Sequence, residues 1–177
     1  MKEHVLILLK PDAFQRNLIG KILSRFEETG FEICCIESVY ATAAKVERHY
    51  SHLSKDVVNE ICAYFCLSTT PSGKKTPIIA MVMLGESAVS VCRSICGETD
   101  CSKAIAGTIR GDFGVDSFEI ATSRQKTMRA IRNLVHCSDS EDSFIKEVSI
   151  WCPRFRTTSF DLNEKIRFAC EYKSGKE

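Results

Sequence analysis

The densest concentration of reactive groups in the sequence is Asn133-Leu134-Val135-His136-Cys137-Ser138-Asp139-Ser140. It sets a histidine at the end of a short apolar run, directly before a segment with helical periodicity. A helix N-terminus offers unpaired N–H groups and the positive end of its dipole, and both favour an anion, phosphate most naturally. Imidazole is a competent nucleophile near neutral pH, so a histidine placed there can accept a phosphate. Its other ring nitrogen must then be held by an acceptor, for which Glu147 on the following helix is the candidate. A histidine taken alone is more often a hydrogen-bonded structural group; its surroundings favour the chemical role.

Two further clusters could serve the same chemistry. Gly107-Thr108-Ile109-Arg110-Gly111-Asp112-Phe113-Gly114 combines glycines, which permit close backbone approach, with an arginine fork suited to phosphate oxygens. A glycine-rich turn with an arginine is also common without a ligand. Arg93 and Thr99, just upstream, add a second fork and a hydroxyl. Lys10-Pro11-Asp12 follows the first apolar run; it reads as a solvated turn or as a charge aimed into a ligand crevice. Neither a Walker A motif nor a G-x-G-x-x-G loop occurs, which removes the usual P-loop and protein-kinase routes to phosphoryl transfer.

The elements that must position these groups alternate along the chain. Val5–Leu9 reads as a strand, Leu18–Phe26 as a helix closed by Gly30, and Phe31–Tyr40 as a second strand. Helices are predicted over Ala43–Tyr50, Val57–Phe65, Ser87–Cys96 and Ser140–Trp151, and strands over Pro77–Leu84 and Leu134–His136. Between Gly97 and Arg132 the pattern weakens, with one short helix over Gln125–Arg132; a loop this long suggests a functional lid or a disordered segment. Ser68–Lys75 and Glu171–Glu177 read as an exposed loop and a frayed end. Strands separated by helices imply an α/β sandwich with helices against a sheet.

Composition narrows the function classes. The 177 residues suit one domain, 44% of them apolar and 27% charged. A formal net charge of +1 argues against a strongly basic nucleic-acid binder or a polybasic membrane anchor. Val5–Leu9 is too short for a signal peptide or a membrane span, so a soluble, cytoplasmic protein is expected. The ten cysteines contain no C-x-x-C unit, and reduced, mostly buried thiols are favoured over zinc or disulfides.

Taken together and in this order, the clusters resemble the nucleoside diphosphate kinase family. The matching segments are Leu9–Arg16, His49-Tyr50, Gly97-Glu98-Thr99, Gly107–Gly114 and Asn133–Ser140, spanning residues 4 to about 152 of a single domain, with 153–177 as an extension. The resemblance implies a ferredoxin-like βαββαβ sandwich (α+β) with added helices and a hexameric or tetrameric homo-oligomer. It implies a Mg²⁺-dependent ping-pong transfer of phosphate between nucleoside tri- and diphosphates, with no membrane or specific nucleic-acid partner. His136 matches the nucleophile, Glu147 the carboxylate that orients it and Ser138 a supporting hydroxyl. Lys10, Tyr50, Arg93, Thr99, Arg110 and Asn133 match the phosphate- and ribose-binding groups.

Four features depart from the family pattern. Val58 stands where a base-stacking phenylalanine is usual, and Cys137 where glycine is usual, which raises the prospect of backbone strain or of a redox-sensitive thiol, with a tolerated small residue the favoured reading over the redox one. Leu67–Thr76 is longer than the family's connection by roughly seven residues, a change that costs little at a surface. A second insertion, Val115–Arg132, carries Arg124, Lys126, Arg129 and Arg132. Ala130 is the nearest candidate for the contact at the base's second face.

Overall fold

The apolar run Val5–Leu9 is uninterrupted because it lies at the centre of the sheet and is buried on both faces. In the computed structural model, which describes residues 2–123, 130–157 and 160–171, this run belongs to β1 (Lys2–Leu9). With β2 (Glu32–Val39), β3 (Ile78–Glu86) and β4 (Val135–Cys137) it forms an antiparallel sheet in the order β2-β3-β1-β4. β1 pairs with β3 along its whole length and with β4 through Ile7, Leu8 and Leu9.

The alternation of β1 feeds two cores. Val5, Ile7 and Leu9 pack with Ile22 and Phe26 of α2 (Ile19–Glu27) and Cys92 of α5 (Ala88–Cys96), after α1 (Pro11–Gln15) has turned the chain. Leu6 and Leu8 face Phe65 of α4 (Lys55–Leu67) and Phe144 and Trp151 of α8 (Glu141–Trp151), with α3 (Ala43–His49) beside them. The crossovers through α2 and α5 complete the expected ferredoxin-like βαββαβ order, with α3 and α4 inserted between β2 and β3. Burying each large apolar side chain here contributes about 1.5–3 kcal/mol.

The weakly patterned stretch after Gly97 is more ordered than expected. It holds a 3-10 turn (Cys101–Lys103), α6 (Ile109–Phe113) and α7 (Phe118–Ser123), too short to show helical periodicity. The predicted helix Gln125–Arg132 falls mostly outside the described residues, and Ala130–Arg132 are not helical. The C-terminal extension contains α9 (Phe160–Glu171), which packs on α8. Residues 172–177 of the expected frayed end lie outside the described residues. The longer connection after Leu67 forms a small exposed loop closed by a Thr69–Lys75 bridge.

Candidate active site

β4 is preceded by a left-handed residue that sets the whole site. Leu134 has φ 68° and is fully buried, and the Val135 N–H donates to the Asn133 carbonyl at 2.8 Å across it. Such a conformation costs a branched residue about 1–3 kcal/mol and persists only where its surroundings enforce it. Here the Lys10-Pro11-Asp12 segment supplies the enforcement. The Lys10 N–H donates to the Leu134 carbonyl at 2.8 Å, and the Leu134 N–H donates to Asp12 Oδ2 at 3.1 Å. The Tyr64 hydroxyl donates to Asp12 Oδ1 and anchors the buried carboxylate.

This turn aims His136 toward a cavity of about 780 Å³, the size of a small-ligand site, and sets Asn133 behind its wall. His136 Nε2 lies 2.9 Å from Glu147 Oε2, which also accepts from the Ser138 hydroxyl at 2.7 Å. A carboxylate accepts only, so Nε2 carries the proton and Nδ1 keeps its lone pair. Nδ1 has no hydrogen-bond partner among the described residues. His49 stands behind the pair. Its Nδ1 accepts from the Trp151 indole at 3.0 Å, and its Nε2 lies 3.9 Å from Glu147 Oε1. Burial, reinforced by His136, pushes the His49 pKa well down and keeps that ring neutral.

Arg110 ties the cavity walls together. Its Nη1 donates to the Gly97 carbonyl at 2.6 Å, its Nη2 to Val135 at 2.8 Å and its Nε to Asn133 at 3.2 Å. Gly97 is required at its position: φ is 78°, and a Cβ there would meet Thr108 Oγ1 at 2.4 Å. The rest of the glycine-rich segment is a capped helical turn. Thr108 accepts from the Gly111 N–H at 3.0 Å, and Asp112 accepts from the Gly107 N–H at 2.7 Å and pairs with Arg25 at 2.6 Å. Lys10 Nζ donates to Asn133 Oδ1 at 2.6 Å, while Asn133 Nδ2 donates to the Thr99 carbonyl at 2.8 Å. Burial and the nearby Arg110 charge lower the Lys10 pKa to about 8.

Of the residues singled out in the sequence, Tyr50, Arg93, Thr99, Arg110, His136 and Glu147 line the cavity. Lys10, Asn133 and Ser138 stand behind that wall, bonded to the groups just described. Val58 is buried on α4 and does not line the cavity, whose wall includes His52 and the exposed Ile105 instead. Ala130 belongs to the core beneath α8 and does not border the cavity. The backbone strain expected at Cys137 lies at Leu134, and Cys137 has no positive φ. Cys137 and Cys96 are both free thiols; a hydrogen bond between them, with burial, pushes the Cys137 pKa up and keeps it protonated. Arg132 lies over the Tyr64 ring, its N–H bonded to Asp116; Arg124, Lys126 and Arg129 lie outside the described residues. His49 had no assigned role in the sequence, because its partner Trp151 lies 102 residues away and no local spacing links the two.

His49, His136 and Glu147 could together ligate a metal ion, each offering one atom within 4.8 Å of the others. They suit a borderline transition ion, whereas Mg²⁺ prefers hard oxygen donors. Glu98 and Asp139 supply such oxygens on the cavity wall.

A ferredoxin-like sheet with helices on both faces, and a histidine–glutamate pair at the wall of an arginine-bearing cavity, define a phosphate-handling α/β protein. Residues 3–157 match the family model for nucleoside diphosphate kinase. The chain is 39% identical over 167 residues to the nucleoside diphosphate kinase of Thermoplasma acidophilum, covering 94% of this chain and 99% of that one. It is 40% identical to the Nocardioides enzyme of the same name, covering 86% and 98%. Among solved structures, the Borrelia burgdorferi nucleoside-diphosphate kinase, a transition-state mimic with vanadate and ADP, matches with TM-score 0.75 and 28% identity over 90% of this chain and 94% of that one. The Encephalitozoon cuniculi enzyme in its apo form matches with TM-score 0.71 and 34% identity over 93% and 99%. The chain belongs to the nucleoside diphosphate kinase family, a family of enzymes.

Proposed function

We propose that this chain transfers the terminal phosphate of a nucleoside triphosphate to a nucleoside diphosphate through a phosphohistidine on His136, and so maintains NTP and dNTP pools. The observation that carries this reading is the His136 ring: its Nε2 is bonded to Glu147 and its Nδ1 is unpaired among the described residues. In the first half-reaction, the Nδ1 lone pair attacks the terminal phosphorus, and the bond to the bridging oxygen breaks with its electrons leaving on the diphosphate. The proton stays on Nε2, where Glu147 balances the positive charge that develops on the ring. In the second half, a terminal oxygen of the acceptor diphosphate attacks the same phosphorus and the Nδ1–P bond breaks.

The remaining roles follow from position. Arg93, Arg110 and, behind them, Lys10 supply positive charge for the phosphates; Thr99, Tyr50 and, from behind the wall, Asn133 through its bonds to Lys10 and Thr99 orient the nucleotide, and Ser138 steadies Glu147. Mg²⁺ would be held mainly by phosphate oxygens, with Glu98 and Asp139 as the chain's own hard donors, and would supply further positive charge. We assign the whole chain to one such domain. A homo-oligomer is supported by Ile36, half exposed on the edge strand β2, and by Tyr40 just beyond it. A reducing compartment, the cytosol, is supported by nine free cysteines among the described residues; no helix of the described residues is long and apolar enough to cross a membrane.

Initial rates measured against both nucleotides should give parallel double-reciprocal lines, the mark of a covalent intermediate. Intersecting lines would require both nucleotides to be bound at once and would sink the two-step scheme.

A further inference from the structure

Away from the cavity, the far end of α8 meets the edge of the sheet, and three ligating side chains converge there. Cys152 caps α8 and is fully buried. Cys35 and Glu37 lie on β2, the edge strand. Plain strand alternation would turn Cys35 to the same face as Ile33, which packs in the core beneath α2. A bulge changes this. Ile33 stands opposite Met83 but Cys35 opposite Val82, so Cys34 is the extra residue. Cys35 and Glu37 therefore share the face of Val82 and Ala80, the face on which α8 packs.

Cys35 Sγ lies 3.7 Å from Glu37 Oε1, and one ligand atom from each of Cys35, Glu37 and Cys152 lies within 4.8 Å of the other two. Bonds of about 2.3 Å to sulfur and about 2.0–2.2 Å to oxygen around a tetrahedral ion imply ligand separations of roughly 3.5–3.8 Å. Closing the cluster onto an ion thus takes side-chain movements of about 1 Å or less. We propose that Cys35, Glu37 and Cys152 bind a thiophilic divalent transition ion of the zinc class, with the fourth position open to water or an external ligand. Two sulfurs select such an ion over Mg²⁺ or Ca²⁺. On binding, both thiols release their protons to solvent, and each sulfur and the Glu37 carboxylate donate an electron pair to the metal. Lys45, whose ammonium lies 5.7 Å from the Trp151 ring centroid, sits close enough to Cys152 to offset part of the negative charge gathered there. The ion would tie the end of α8 to the sheet edge. Since α8 carries both Glu147 and Trp151, the tie braces the helix that holds His136 and His49.

The test is a cobalt(II) titration of the full chain, without oxygen and with a phosphine reductant. A thiolate-to-cobalt charge-transfer band should saturate near one ion per chain and vanish when zinc is added. Cys35→Ser, Cys152→Ser and Glu37→Gln should each weaken binding more than about tenfold, since even outer-shell partners contribute that much. Glu37→Gln removes no buried sulfur and covers the case in which a cysteine variant fails to fold. His136→Ala should leave the band unchanged, which separates this site from the sulfur-free His49–His136–Glu147 cluster. The absence of a thiolate band at saturating cobalt would overturn the proposal, as would a band indifferent to Cys152→Ser. So would the loss of both thiols to a disulfide in the untreated protein.

Discussion

At the scale of single residues, the site depends on which nitrogen of His136 is free. Glu147 decides this by holding Nε2; the Ser138 hydroxyl holds Glu147 in turn, and the neutral His49 ring packs behind it with Nε2 3.9 Å from Oε1. Glu147→Gln keeps the shape of the pair and removes the charge that balances the phosphorylated ring. It should lower kcat by roughly tenfold or more with little change in KM; an unchanged kcat would remove Glu147 from the mechanism. Lys10 gives a pH signature. Its pKa is lowered to about 8, so the ammonium is present below that pH and lost above it. Phosphate prefers the charged form. Nucleotide affinity should therefore fall as pH rises through about 8, and calorimetric titration of Lys10→Arg should show no such inflection. A wild-type affinity flat from pH 7 to 9 would contradict the assignment.

At the scale of elements, the strained turn at Leu134 is the piece to test. Asp12 and the Lys10 backbone enforce it, and Tyr64 of α4 anchors Asp12 from the other side. Tyr64→Phe removes that anchor and should cost about 1–3 kcal/mol in urea unfolding, with a lower phosphate-transfer rate in the protein that stays folded. A variant as stable and as active as the parent would show that the turn needs no such support. The elements themselves were unevenly legible in sequence. Helices α2, α4, α5 and α8 carry enough turns for their apolar faces to register, and the run Val5–Leu9 is legible as a strand, though only the structure shows that both its faces are buried. The short helices α6 and α7 could not, because about one or two turns give no periodicity to read. The β2 bulge was equally hidden, since Ile33–Val39 has apolar and polar residues that fit either register.

At the scale of the molecule, the sheet brings together Lys10 of the first crossover, Arg110 of the second and His136 of the last strand. Each motif was visible in the sequence, but only the fold shows that Lys10 and Asn133 stand behind the cavity wall and that His49 backs Glu147 across 98 residues of chain. Val58 was placed by spacing alone, and spacing cannot show that a side chain on α4 turns into the interior. The exposed edge of β2 carries the assembly proposal. Ile36→Lys would put a charge on that apolar edge and should reduce the solution mass to smaller species; an unchanged mass would move the interface elsewhere. The central claim is the covalent intermediate on His136. Incubation with labelled ATP and Mg²⁺ should yield an acid-labile, base-stable phosphoprotein whose label maps to His136, is absent in His136→Ala and is discharged by added nucleoside diphosphate. A native protein that exchanges phosphate between nucleotides without ever carrying the label, or that carries it on another residue, would contradict the account.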